Sequence, residues 1–273
     1  MRIRFALLLL LTGLFLAASS VLASDLALVR ARIYPSPSEP PIENGSILIH
    51  DGHIQAVGPA ATIKVPQGAT VIDCKGLIVI AGFWNSHVHI LTPGLLNAEK
   101  RSPEEITSQL KEIFTSWGFT TVFDIASVLQ NSTRIRLRVE SGEADGPRIL
   151  TVGEPFWGKG GTPVYIKGFL EANHISIPEV ESTEQAAERV RQQIHDGADG
   201  IKIFANSVEQ DGILTMPLDL AKAAADEAHR AGKLVFAHVS NNQGIEVAIL
   251  SGADVLAQPL PPMISGVRLS PSA

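Results

Sequence analysis

Cysteine is almost missing from this 273-residue chain: Cys74 stands alone, which excludes an intrachain disulfide and any metal site built on several thiolates. Positive charge is in deficit as well. Lys and Arg number 22 against 28 Asp and Glu, a net charge of −6 with no basic stripe, so nucleic acid is not an expected partner. The glycine-rich residues 153–161 lack a following Lys-Ser or Lys-Thr at P-loop spacing, which argues against a phosphate cradle. What remains is ordinary globular composition, 45% apolar and 18% charged, ample for a sizeable core.

The first 23 residues stand apart. Arg2 and Arg4 precede an uncharged apolar run at 5–15, followed by small residues and Val-Leu-Ala at 21–23. This is the pattern of a secretory signal peptide cut after Ala23; the run is short for a membrane anchor and no stop-transfer flank follows. Its removal takes away two arginines and leaves a net charge of −8. The expectation is an exported protein, periplasmic or extracellular, with no stable membrane anchor after cleavage.

From 24 to 82 the pattern is short strands and turns, at 26–33, 45–50, 53–57 and 71–74, with Asp51-Gly52 a strong hairpin signal. A small β-sandwich-like domain is expected there, with His50 and His53 exposed beside the turn. Beyond it the period changes. Ser102, Pro103, Glu104 and Glu105 open a helix over 102–117, and further helices are expected at 131–141, 183–195, 217–231 and 243–251. Strands at 118–124, 147–152, 200–205, 233–238 and 253–257 alternate with them, and a long glycine-rich loop covers 153–168. The alternation argues for parallel βαβ units, a (β/α)8 barrel first and a doubly wound open sheet second. About six of the eight strands of a closed barrel are present, so residues 83–258 are expected to form an incomplete TIM-type barrel, with an irregular Pro/Ser-rich tail at 259–273.

Strand ends carry the chemistry. The apolar run at 77–81 reads as a buried strand, and His87 and His89 follow it at i and i+2. An extended backbone sends both imidazoles to the same side, which is metal-ligand geometry. A lone His-x-His in a loop is commonly incidental; its place beyond a hydrophobic strand, where parallel α/β folds put their sites, gives it weight. Lys202 lies inside an otherwise apolar strand, where an unpaired cation is costly to bury. His238 ends the next strand. Asp124 also ends a strand and could touch substrate or support a ligand through a hydrogen bond, while Trp157 and Tyr165 could form one wall of a pocket. His174, His195 and His229 read as exposed or structural.

His87, His89, Lys202 and His238 match the metal-binding pattern of the amidohydrolase superfamily. The segment Gly-Leu-Ile-Val-Ile-Ala-Gly-Phe-Trp-Asn-Ser-His-Val-His at 76–89 resembles its opening motif, with Ala81 where proline is usual and Asn85 where aspartate is common. Gly-Phe-Thr-Thr-Val at 118–122, Gly-Pro-Arg-Ile-Leu-Thr at 146–151 and Gly-Ala-Asp-Gly-Ile-Lys-Ile-Phe at 197–204 look like the branch with imidazolonepropionase-like and Xaa-Pro dipeptidase-like hydrolases.

The resemblance implies that Lys202 is carboxylated by carbon dioxide and bridges divalent cations, zinc above all. His87 and His89 would hold the more buried ion and His238 the more exposed one. It further implies water attack on an amide, cyclic amide or dipeptide-like substrate. A ligand histidine is usual where Gln258 stands, so one or two ions are expected. The proton-shuttling aspartate belongs to an eighth strand that the six do not reach, which leaves the catalytic residue unassigned. The expected function is thus an exported metal-dependent C–N hydrolase. The alternative is a catalytically inactive truncated remnant, at most a metal-binding or interaction protein, with homo-oligomers formed through unpaired strand edges. A periplasmic sugar- or peptide-binding domain would leave Lys202 unexplained.

Overall fold

The computed structural model describes residues 25–258, so the expected signal peptide and the tail at 259–273 lie outside the described residues. The chain divides into two compact units after Ala81. The first holds β1 (Asp25–Ile33), β2 (Ile42–His50), β3 (His53–Pro59), β4 (Thr70–Asp73) and β5 (Ile78–Val79). They form one mixed sheet in the order β3-β2-β1-β4, with β5 also on β1, where a sandwich-like pair of sheets was expected. Asp51 and Gly52 join β2 to β3 with φ of 48° and 72°, both positive as a type I′ hairpin turn requires. Ala31, Ile33, Ile47 and Cys74 make the small core.

One expectation fails here. The apolar run at 77–81 is not the buried strand that leads to the histidines: its β5 portion pairs with Arg32 and Ile33 of β1, and Leu77, Ile78 and Ile80 are each at least half exposed. Five consecutive apolar residues do not specify a partner. The bonds Arg32 N–H to Leu77 O and Tyr34 N–H to Val79 O commit this run to the first unit.

The second unit begins at β6 (Phe83–Val88) and continues with α1 (Pro103–Ile113), β7 (Phe119–Asp124), α2 (Leu129–Glu140) and β8 (Arg148–Thr151). Then come α3 (Val164–Ala172), α4 (Thr183–His195), β9 (Gly200–Phe204), the hairpin β10 (Asn206–Glu209) and β11 (Gly212–Thr215), and α5 (Leu218–Arg230). β12 (Leu234–His238), α6 (Asn242–Ser251) and β13 (Val255–Leu256) complete it. α1 carries the full capping box: the Ser102 hydroxyl accepts from Glu105 N–H, and the Glu105 carboxylate accepts from Ser102 N–H at 2.8 Å. The strands form two parallel three-stranded sheets, β6-β7-β8 and β9-β12-β13. Asp199 N–H to Thr151 O, Phe156 N–H to Lys202 O and Phe204 N–H to Phe156 O stitch the end of β8 to β9.

Strand alternation sorts the side chains into two layers. Ile201, Ile203, Val235 and Ala237 pack with α4, α5 and α6, and Val122 and Ile149 with α1 and α2. The opposite face of the same strands gathers Phe123, Ile125, Val152 and Phe236, with Leu150, Val255 and Ala257 against them. In the β9–β12 register Lys202 pairs with Phe236 and Phe204 with His238, so Lys202 and His238 belong to this second, inner face.

Gly153, two residues beyond β8, has φ +74°, and a Cβ there would stand 2.9 Å from Leu129 Cβ. Both backbone and space resist a side chain. Gly153→Ala should lower stability by more than ~1 kcal/mol, read from the urea midpoint; an unchanged midpoint contradicts this reading.

Candidate metal centre

Four polar side chains reach the inner face from three strands. His87 is the penultimate residue of β6 and His89 lies just beyond its end, their rings edge to face with centroids 5.2 Å apart. Lys202 is 1% exposed, and no carboxylate pairs with it among the described residues. Its amine lies 6.0 Å from the centre of the Phe204 ring, on which the His238 imidazole stacks at 4.4 Å and 10°. Burial lowers the Lys202 pKa to about 7. Burial likewise takes His238 to about 4, with the charges of Lys202, His87 and His89 adding to the shift. His87 and His89 are lowered for the same reasons, burial first. The group is therefore three neutral imidazoles and an amine poised to be neutral.

Each histidine of the pair is oriented from behind by a main-chain carbonyl. His87 Nδ1 lies 2.6 Å from Ala257 O, and His89 Nδ1 2.9 Å from Ala126 O. A ring N–H donated to a carbonyl leaves Nε2 with its lone pair free, which is how a ligating imidazole is prepared. Asn85 Oδ1 accepts from His87 N–H and steadies the end of β6.

Among the described residues no three His, Cys, Asp or Glu side chains alone are grouped to hold a metal, so a centre here would have to draw on Lys202 or Gln258 as well. The donor set suits one. The Gln258 side-chain oxygen is buried and has no hydrogen-bond partner among the described residues, and it follows directly on the carbonyl that holds His87. An amide oxygen is a weaker donor than imidazole, yet an orphaned one has a lone pair to give.

Asp124 does not join this group and cannot touch a substrate, which removes that half of its expected role. It is fully buried on the helix side of β7, since Phe123 and Ile125 take the inner face. Its carboxylate accepts from Ser127 Oγ and Ser132 Oγ at 2.6 Å each, from Thr151 Oγ1 at 3.3 Å and from Ile90 N–H at 3.4 Å. Ser127 Oγ also accepts from Ile90 N–H at 2.8 Å. The network thus ties the residue after His89 to the turn whose Ala126 carbonyl orients His89. Burial raises the Asp124 pKa against the pull of these bonds. The alternation of 123–125 was the available signal; Ser127 and Ser132 escaped sequence reasoning.

Trp157 and Tyr165 both line a cavity that also includes His89. His174 is exposed beyond α3, and His195 and His229 close α4 and α5, where His229 Nε2 lies 3.0 Å from Asp254. His50 and His53 are exposed in the first unit.

Comparison with known proteins supports a common ancestry. The model of the amidohydrolase family matches residues 78–256. Adenine deaminase of Desulforamulus reducens is 37% identical over 129 residues, 41% of this chain and 20% of that protein. Dihydroorotase of Geobacter sulfurreducens is 25% identical over 223 residues, 76% of this chain and 51% of that one. A crystal structure of a Xaa-Pro dipeptidase with bound methionine in the active site superposes with a TM-score of 0.67 at 22% identity, over 85% of this chain and 61% of the other, which speaks to the fold alone. The chain spans between a fifth and about three fifths of the length of these proteins.

Two outcomes follow from the geometry. Asp124→Asn replaces a four-way acceptor by an amide and should cost about 1–3 kcal/mol of stability in urea unfolding. It should also weaken metal retention by about 10–100-fold through the displaced Ala126 carbonyl; wild-type retention would contradict the linkage. For Lys202, the unfolded chain holds the proton up to the ordinary 10.5 and the folded chain only to about 7. Stability therefore rises with pH across that window. Chelator-treated wild type should gain stability between pH 7 and 10 relative to Lys202→Met, and parallel urea profiles would contradict it.

Proposed function

The chain belongs to the amidohydrolase family, and from that premise we propose that it is an exported metal-dependent hydrolase acting on a C–N bond of an amide, cyclic amide or dipeptide-like small molecule. We read its six parallel strands as consecutive strands of a (β/α)8 barrel, with the inner-face residues at the C-terminal ends where such barrels place their chemistry. One observation carries the reading: Lys202 is buried on the same face as His87, His89 and His238 with no counter-charge among the described residues. A structural lysine would have a carboxylate partner or reach water.

Lys202 accounts for its own burial if its neutral amine attacks carbon dioxide. The ammonium first gives one proton to solvent; the neutral amine then adds to the carbon, a nitrogen–carbon bond forming as one C–O π bond opens onto oxygen, and a second proton leaves the nitrogen, so that in all a cation becomes an anion with two donor oxygens. His87, His89 and His238, with that carbamate and the Gln258 amide oxygen, would hold one or two divalent ions, zinc being well suited to imidazole and oxygen donors. A cation held there supplies Lewis acidity toward a carbonyl or imine and lowers the pKa of water. The Ala257 and Ala126 carbonyls, each holding an Nδ1, would leave Nε2 of His87 and His89 free to bind it. No Asp or Glu contributes to the electrostatics of these four side chains among the described residues, so no general base is assigned.

The test is elemental analysis of protein prepared with zinc and bicarbonate. Wild type should retain one or two equivalents, Lys202→Ala less than about a tenth of that. Unchanged metal content in Lys202→Ala would sink the bridging role. Metal retention without turnover on a panel of amides, cyclic amides and dipeptides would point instead to an inactive metal-binding protein.

A further inference from the structure

His89 also borders a cavity of about 120 Å³ whose walls include Trp157, Tyr165, Phe169, Leu170 and Phe204. No Asp, Glu, Lys or Arg lines it among the described residues. One wall is α3, which presents Tyr165, Ile166, Phe169 and Leu170, the i, i+1, i+4 and i+5 positions of a single helix face. Unlike the other helices of this unit, α3 buries none of its residues in the core. Its place is set by bonds at its flanks. The Glu179 carboxylate accepts from Gly160 N–H at 2.7 Å, Thr162 N–H at 3.0 Å and Thr162 Oγ1 at 2.7 Å, and Val180 N–H donates to Trp157 O at 2.8 Å. Lys167 on the helix pairs with Glu209 of β10 at 2.7 Å. An apolar helix is thus pinned across open space rather than packed into it.

Trp157 supplies the second observation. It is 2% exposed, and its indole N–H has no acceptor among the described residues. A buried donor left unsatisfied in a native site calls for a partner.

We propose that this cavity recognises an uncharged apolar substituent of the substrate, a single ring or a branched aliphatic chain carrying one hydrogen-bond acceptor, seated next to the bond presented to His89. Size is of the right order: the cavity of about 120 Å³ is close to, and slightly below, the roughly 150 Å³ apolar cavity that accepts a benzene ring, so one ring is the most it would enclose. Chemistry selects: a charged group entering here would shed its water and meet no counter-charge among the described residues that line the cavity. The Trp157 N–H takes the acceptor. That the occupant is part of a substrate rests on the hydrolase reading; that the cavity binds neutral apolar groups does not.

Benzyl alcohol and its charged isostere benzylammonium, titrated by ligand-observed NMR into the whole chain as purified, test this without turnover. Benzyl alcohol should bind saturably and at least about tenfold more tightly than benzylammonium. Leu170→Asp and Phe169→Ala, both half-exposed positions on α3, should each weaken it by at least about fivefold, with metal content unchanged. Equal binding of the two probes, no saturable binding, or wild-type affinity in a folded variant would overturn the proposal. Absence of metal and turnover with benzyl alcohol still bound would overturn the hydrolase reading instead.

Discussion

A lysine side chain shut inside a parallel sheet, with no carboxylate beside it among the described residues, constrains everything around it. Lys202 cannot snorkel, because β9 lies between β12 and the Phe156 segment and leaves the residue 1% exposed. Turning the strand over would drive it among Ala224, Ala225 and Val190 on the helix side, where Ile201 and Ile203 now pack. The alternation that satisfies those two isoleucines therefore forces the amine inward, toward three imidazoles. Such a position is tolerable only if the amine is neutral or becomes an anion held by cations, and its pKa of about 7 expresses the first half of that choice.

The histidines are held by a different means, main-chain carbonyls of Ala126 and Ala257. Behind the first stands a polar cluster in which Asp124, Ser127, Ser132 and Thr151 satisfy one another on the helix side of β7 and β8. Buried carboxylate and metal-ligand candidates are thus separated by one thickness of sheet. The carboxylate reaches His89 only indirectly, through its hydrogen bond from Ser127 and the turn that carries the Ala126 carbonyl.

Much of this was readable in advance. The Ser102 N-cap, the Asp51-Gly52 turn, Lys202 within its strand and His238 at the end of the next each depend on a few neighbouring residues, and local chemistry suffices to place them. Three features were not readable. α3 has no side-chain N-cap and few polar residues, so helical period is masked within what looks like a glycine-rich loop. The β10–β11 hairpin turns at Gln210-Asp211 between segments too short to show alternation. The run at 77–81 is apolar enough for a buried strand, yet its partner is β1, some 45 residues earlier in the chain.

Residue order was enough to establish the chemical inventory and its periodicity: which strands alternate with helices, which imidazoles stand at or near their ends, and which amine lies within one. Folding alone settled which face each strand turns inward, which carbonyls seize the histidines, and that Asp124 lies behind the sheet while Trp157 and Tyr165 share a cavity with His89. The reason is physical. Propensity and period act over a few residues, whereas a carbonyl acceptor, a buried charge and an unfilled cavity are made by segments up to 170 positions apart, brought together only by packing.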